Sequence, residues 1–72
     1  MISIYSKLLN GECLVVSFTR LVTLIEYSAK VEDTEDDRLI DFEGSSGVLS
    51  SDQTEEGLLI ELTAYCDSIL SN

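Results

Sequence analysis

Carboxylates carry most of the chemistry available to this chain, and they run together. Glu32, Asp33, Glu35, Asp36 and Asp37 fall within six residues. Asp33, Glu35 and Asp37 take relative positions one, three and five, the opening of a calcium loop. Such a loop then needs Gly at position six and a bidentate acid at position twelve, where this chain has Arg38 and Gly44. The pattern fails at both, so the run reads as a solvated acidic loop with only weak, unspecific attraction for divalent cations. Paired carboxylates also do acid–base work when a buried setting drives their pKa values apart. Nothing in the sequence places two acids in an apolar pocket, and Asp41, alternating with Ile40 and Phe42, is expected to face solvent.

Nucleophiles lack their helpers. The 72 residues contain no His, so the usual general base near neutral pH and the commonest zinc ligand are both missing. No serine sits in a Gly-x-Ser-x-Gly elbow. Gly44-Ser-Ser-Gly47 lacks the Walker pattern and its lysine, and reads as a flexible turn. Asp67-Ser68 lies near a helix end, whereas a carrier protein modifies a serine at a helix start, so no phosphopantetheine site is expected. Cys13 and Cys66 cannot build a four-ligand zinc site alone. They read as core thiols in a reducing compartment, with a single bridge between them as the alternative. Asp67 and the end of a helix beside Cys66 disfavour its thiolate. The expectation is a protein that is not an enzyme and has no cofactor and no metal.

Charge is the feature that remains. Fourteen acids oppose four bases, a net of −10. Residues 1–30 hold three bases and two acids, a net of +1, and residues 31–72 hold twelve acids and Arg38, a net of −11. A magnitude of about 2–8 is enough to keep a small domain soluble. The excess opposes folding by self-repulsion, which implies a positive partner. Direct nucleic-acid binding is excluded, since neutralising phosphates takes Lys and Arg. The expected partner is a basic protein surface, one that ordinarily binds nucleic acid. Its expected contacts are Glu32, Asp33, Glu35, Asp36, Asp37, Asp41, Glu43, Asp52, Glu55 and Glu56. In size, charge and expected α+β make-up the chain resembles the small acidic inhibitors carried by viruses and mobile elements. These include anti-restriction, anti-CRISPR and uracil-glycosylase inhibitor proteins, and immunity proteins that neutralise nuclease toxins. The resemblance is one of type, and no family residue is carried over from it. It implies a nucleic-acid mimic that competes for a cationic groove. The alternative is a structural or assembly module, a small subunit or homodimer with the apolar N-terminal half as interface. Residues 13–25 are apolar at nine of thirteen positions.

The elements that must position these residues fit one domain, 1–72. A chain this short buries only about 60% of the surface its unfolded form exposes. The apolar run 13–25 is broken by Arg20 and falls short of the roughly 20 residues that span a bilayer. With no signal-like start either, the expected location is cytoplasmic. Asn10-Gly11 signals a two-residue type I′ hairpin pairing Ile2–Leu9 with Glu12–Thr19. Leu21–Val31 reads as a strand with Leu21, Thr23, Ile25, Tyr27, Ala29 and Val31 on one face. The acidic run 32–37 makes a connection, and Arg38–Glu43 alternates as a short strand before Gly44.

The C-terminal segment reads as a helix. Asp52 is its expected N-cap with Glu55 as capping-box partner, and Gly57 warns of a start at Thr54 or later. Leu58, Leu62, Tyr65 and Ile69 form the stripe, widened by Leu59, Cys66 and Leu70. The three tyrosines are expected in the core or at its rim. The fold class is α+β: a small antiparallel β-meander of three to four strands with one C-terminal amphipathic helix on its apolar face. The alternative is an all-α chain with 13–31 as a buried helix.

Overall fold

Even-numbered apolar side chains of the first two strands, and odd-numbered ones of the third, build the core side of the sheet. The computed structural model describes residues 2–40, 42 and 44–71. Strands β1 (Ile2–Lys7), β2 (Cys13–Arg20) and β3 (Ile25–Glu32) follow one another as antiparallel neighbours. A short helix α1 (Asp37–Ile40) leads to β4 (Ser45–Val48), which pairs antiparallel with β3, and helix α2 (Glu55–Leu70) follows. Sheet order is β1-β2-β3-β4, a meander with one long helix, and the all-α alternative is overturned. One face of the sheet meets α2. Leu14, Val16 and Phe18 of β2 and Ala29 of β3 are buried there with Leu8, Leu39, Leu58, Cys66 and Leu70. Successive strand residues point to opposite faces. The other face therefore carries Ser3, Tyr5, Lys7, Cys13, Val15, Ser17, Thr19, Glu26, Ser28, Lys30 and Glu32.

Several local expectations are corrected. The first hairpin turns through Leu9, Asn10 and Gly11: Gly11 N–H donates to the Leu8 carbonyl at 2.9 Å and Leu8 N–H to the Glu12 carbonyl at 2.8 Å. Only Gly11 of the Asn-Gly pair has positive φ (+89°), as in a three-residue loop with Gly in the left-handed position. The extra loop residue moves the register by one. Ile4 now faces Val16 and Ser3 faces Ser17, whereas the two-residue turn sets Ile4 against Ser17. A one-residue slip exchanges faces, so burial of the apolar set selects the longer loop.

Residues 21–24 are the second hairpin's loop and not strand, because Arg20 already pairs with Ile25. This leaves Leu21 and Val22 exposed at its tip.

Arg38 to Ile40 are helical, not extended. The Asp36 carboxylate accepts the Arg38 N–H at 2.9 Å, and the Asp36 carbonyl accepts those of Leu39 (2.9 Å) and Ile40 (3.1 Å). A side chain that captures nearby backbone donors starts a helix in spite of an alternating pattern. Leu39 is thereby driven to 0% exposure.

The fourth strand is instead the Ser/Gly stretch, read from the sequence as a turn. Close approach explains it. A Cβ on Gly44 (φ +88°) would lie 2.6 Å from the Ala29 carbonyl oxygen, and one on Gly47 would lie 3.2 Å from the Tyr27 ring.

The N-cap of helix α2 lies two residues beyond the expected Asp52. Thr54 is the N-cap, and its hydroxyl accepts the Gly57 N–H at 3.0 Å. Gly57 fits there because a Cβ would stand 2.9 Å from that hydroxyl oxygen. Leu58, Cys66 and Leu70 are buried and Leu59, Leu62 and Ile69 pack around them, as the stripe predicts. Tyr65 departs from it, 56% exposed. Both cysteines are free, so the bridged alternative is set aside. No helix among the described residues is long and apolar enough to cross a membrane.

Candidate functional site

Of the ten acids expected to form one contact face, the eight that are described are distributed over two ends of the molecule. Asp41 and Glu43 lie outside the described residues. Glu32 ends β3, and Asp33, Glu35, Asp36 and Asp37 follow in the connection to α1. This group sits by the first hairpin loop, where the Glu12 carboxylate accepts from Asn10 Nδ2 at 2.9 Å and from the Glu35 N–H at 3.4 Å. It is also the end at which α2 finishes, since Arg38 Nη1 donates to the Leu70 carbonyl at 2.6 Å. Asp52, Glu55 and Glu56 lie at the start of α2, beyond the other end of the sheet, where Glu55 shares a cleft with Ile2, Phe18, Arg20 and Ile25. Sixteen helical residues separate the two groups, roughly 24 Å at about 1.5 Å per residue.

Not all of these acids are available to a partner. Asp36 is engaged within the chain: Arg38 Nη2 donates to Oδ2 at 2.9 Å, and Arg38 Nε to Oδ1 at 3.1 Å. Those hydrogen bonds from the Arg38 side chain, with the one from its backbone, hold the Asp36 carboxyl down at about 2, below its ordinary 3.8. The same pairing raises the Arg38 guanidinium further. Asp33, whose backbone is left-handed at φ 50°, stays exposed, as do Glu32, Glu35 and Asp37.

Sequence reasoning missed the exposed apolar side chains on the outer surface of α2. The helix carries Glu55, Glu56, Glu61 and Asp67 and no base. Two exposed apolar side chains stand among them, Ile60 (69%) and Tyr65 (56%). Residues four apart are neighbours on a helix, so Glu56 adjoins Ile60 on one flank and Glu61 adjoins Tyr65 on another. The Tyr65 ring leans on Phe42, centroids 5.9 Å apart and tilted by 46°. Asp67 accepts the Leu9 N–H at 3.1 Å and ties the helix to the first hairpin. The signal for Ile60 was present, since it falls outside the helical stripe.

The open face of the sheet differs electrically. Lys7 and Lys30 are matched there by Glu26 and Glu32, a sum of zero, so the net −10 belongs to the rest of the chain. Its serines form a row, with Ser3, Ser17, Ser28 and Ser46 adjacent across the four strands and Ser3 Oγ 3.0 Å from Ser17 Oγ. The apolar run 13–25 is largely covered by the chain itself, leaving Leu21 and Val22 exposed. Among the described residues, no group of three or more His, Cys, Asp or Glu side chains is placed to hold a metal ion. Comparison with protein-family models, curated proteins and solved structures gave no match.

Proposed function

We propose that this chain is a small acidic binding protein of the cytoplasm. It uses its helix side to occupy a basic surface of a partner protein, one that ordinarily holds nucleic-acid phosphates. A single observation supports this reading: charge is segregated, with the open sheet face summing to zero while α2 carries four acids and no base. Interfaces combine a few aromatic or aliphatic anchors with a polar rim. Tyr65 beside Glu61 has that composition, and the exposed Asp33, Glu35 and Asp37 extend the anionic surface past the helix end. Asp36 contributes indirectly, by holding Arg38 and hence the connection. Carboxylates in such an array steer a cationic partner into contact and give an association that salt weakens. The protein therefore acts by competition and performs no chemistry.

Capture from a nuclease-treated lysate followed by a salt gradient tests the proposal. The expected result is a basic, nucleic-acid-handling protein eluting at moderate salt and not retained by a Glu35→Lys, Asp37→Lys, Glu61→Lys variant. Reversal of Glu26 on the open face should leave capture intact. Equal retention by the triple variant would sink the reading.

A further inference from the structure

The β1 edge of the sheet offers a contact of a different kind. Leu8 N–H donates to the Glu12 carbonyl, and hydrogen-bonded pairs alternate along an antiparallel ladder. Ile2, Ile4 and Ser6 therefore turn their N–H and C=O groups toward Phe18, Val16 and Leu14. Ser3, Tyr5 and Lys7 turn theirs away from β2. Since β1 ends the sheet, no described strand takes up those outward groups. Proteins blunt such edges with Pro, bulges, charges or brevity. β1 has six residues in unbroken register, with no Pro and no acid, and Lys7 is its one charge. The opposite edge, β4, is blunted by length, with four residues including Gly47.

We propose that β1 pairs antiparallel with β1 of a second copy of this chain, about a two-fold axis at Tyr5, to form a continuous eight-stranded sheet. In this register Tyr5 meets Tyr5 of the copy and Ser3 meets Lys7 on either side of the axis. Every outward N–H and C=O of Ser3, Tyr5 and Lys7 is then paired. Sliding by two residues takes Ser3 or Lys7 past the end of the opposing strand. A chain of net −10 repels its twin least along β1, which carries no acid, and Lys7 is set against Ser3, not against another Lys7. The open faces, each summing to zero, then run side by side. The same register sets exposed Ile2 opposite Leu8 of the copy.

The helix supplies a second observation. α2 runs parallel to β1, with Glu55 near Ile2 and Asp67 bonded to Leu9. Ile60 lies two turns before Asp67 on the same helix face, so it flanks the β1 edge near its middle. Across the axis Ile60 meets its counterpart, which accounts for the more exposed of the two apolar side chains on the outer surface of the helix. An isologous pairing of this kind closes on itself and builds no filament. The flank with Glu61 and Tyr65 stays uncovered, so the dimer and the proposed partner use different surfaces.

Sedimentation equilibrium and amide exchange on the full chain test this pairing. Mass should rise from monomer toward twice that value with protein concentration. The rise should be larger at high salt, which screens Glu56 and Asp67 from the copy's acids, whereas binding of a basic partner weakens in salt. The Ser3, Tyr5 and Lys7 amides should exchange freely in dilute solution and become protected as dimer forms, with Ile4 and Ser6 protected throughout. Tyr5→Pro removes one outward donor at an edge position that tolerates Pro, and dimer should be lost. Ile60→Glu, at an exposed site that leaves folding alone, should also lose it. Monomer mass at the highest concentration and salt would overturn the proposal. So would a dimer that leaves those three amides unprotected, or protection that appears only when another protein is added.

Discussion

The two ends of α2 solve the same electrostatic problem in opposite ways. At its start, Thr54 takes the Gly57 N–H and Glu55 and Glu56 occupy the first turn, where carboxylates meet the positive end of the helix dipole. That end is completed by residues adjacent in sequence. At its finish there is no base in the last turn. The cation comes from α1 instead, as Arg38 reaches the Leu70 carbonyl from 32 residues away. Asp36 holds the guanidinium in place from its other side. Ser71 caps the finish locally as well, its N–H donating to the Asp67 carbonyl at 2.9 Å and its hydroxyl to the Ser68 carbonyl at 3.1 Å, so it is the charge at that end, and not the whole cap, that depends on tertiary structure. The comparison shows where a chain with four bases must spend one of them: beside helix carbonyls that its acids would otherwise confront.

The largest test of that difference is Leu39→Ala. Leu39 is fully enclosed beneath the distant end of α2, and its truncation should cost about 2–5 kcal/mol in urea unfolding. Amides near Leu70 should lose protection before those near Leu58. Uniform loss along α2 would mean that the two ends are not separately anchored. Thr54→Ala comes next, at about 1 kcal/mol, with the loss of protection confined to the first turn.

The smallest effect belongs to Asp36→Asn, because the pair it breaks is partly exposed and screened by solvent. The carboxyl is lowered to about 2 from 3.8 when folded. Its contribution is therefore present above the unfolded value and is lost as pH falls through the folded one. The melting-temperature gap between the parent and Asp36→Asn should hold from neutral pH down to about 4 and close by about 2. A gap that persists in strong acid would remove the Asp36–Arg38 pair from the account.

What the sequence made legible follows the same division. The stripe on α2 and the pairing of β1 with β2 were readable, because apolar periodicity and the Asn-Gly turn signal are carried by residue types directly. The connection from Glu32 to Val48 was not. There Asp36 overrides alternation by capturing backbone donors, and the Ser/Gly stretch becomes a strand only because β3 is present to pair with it. The first is a local capture that competes with the alternating pattern, and the second is a tertiary effect with no local pattern. The acids were found as residues but not as a map. Composition gives their number, and only the placement of α2 shows that they separate to two ends and that Asp36 is already taken.

Cys66 offers one more consequence. It is completely enclosed between α2 and the sheet, and desolvation, reinforced by Asp67, pushes its thiol pKa up. Only a thiolate attacks an electrophile. The sulfur is thus chemically silent while the helix lies on its bed, and it awakens at each excursion in which the helix lifts. With Cys13 half-exposed on the other face of the sheet, the chain carries its own pair of timepieces. One runs with the surrounding solution, and the other advances only at the pace at which the fold opens.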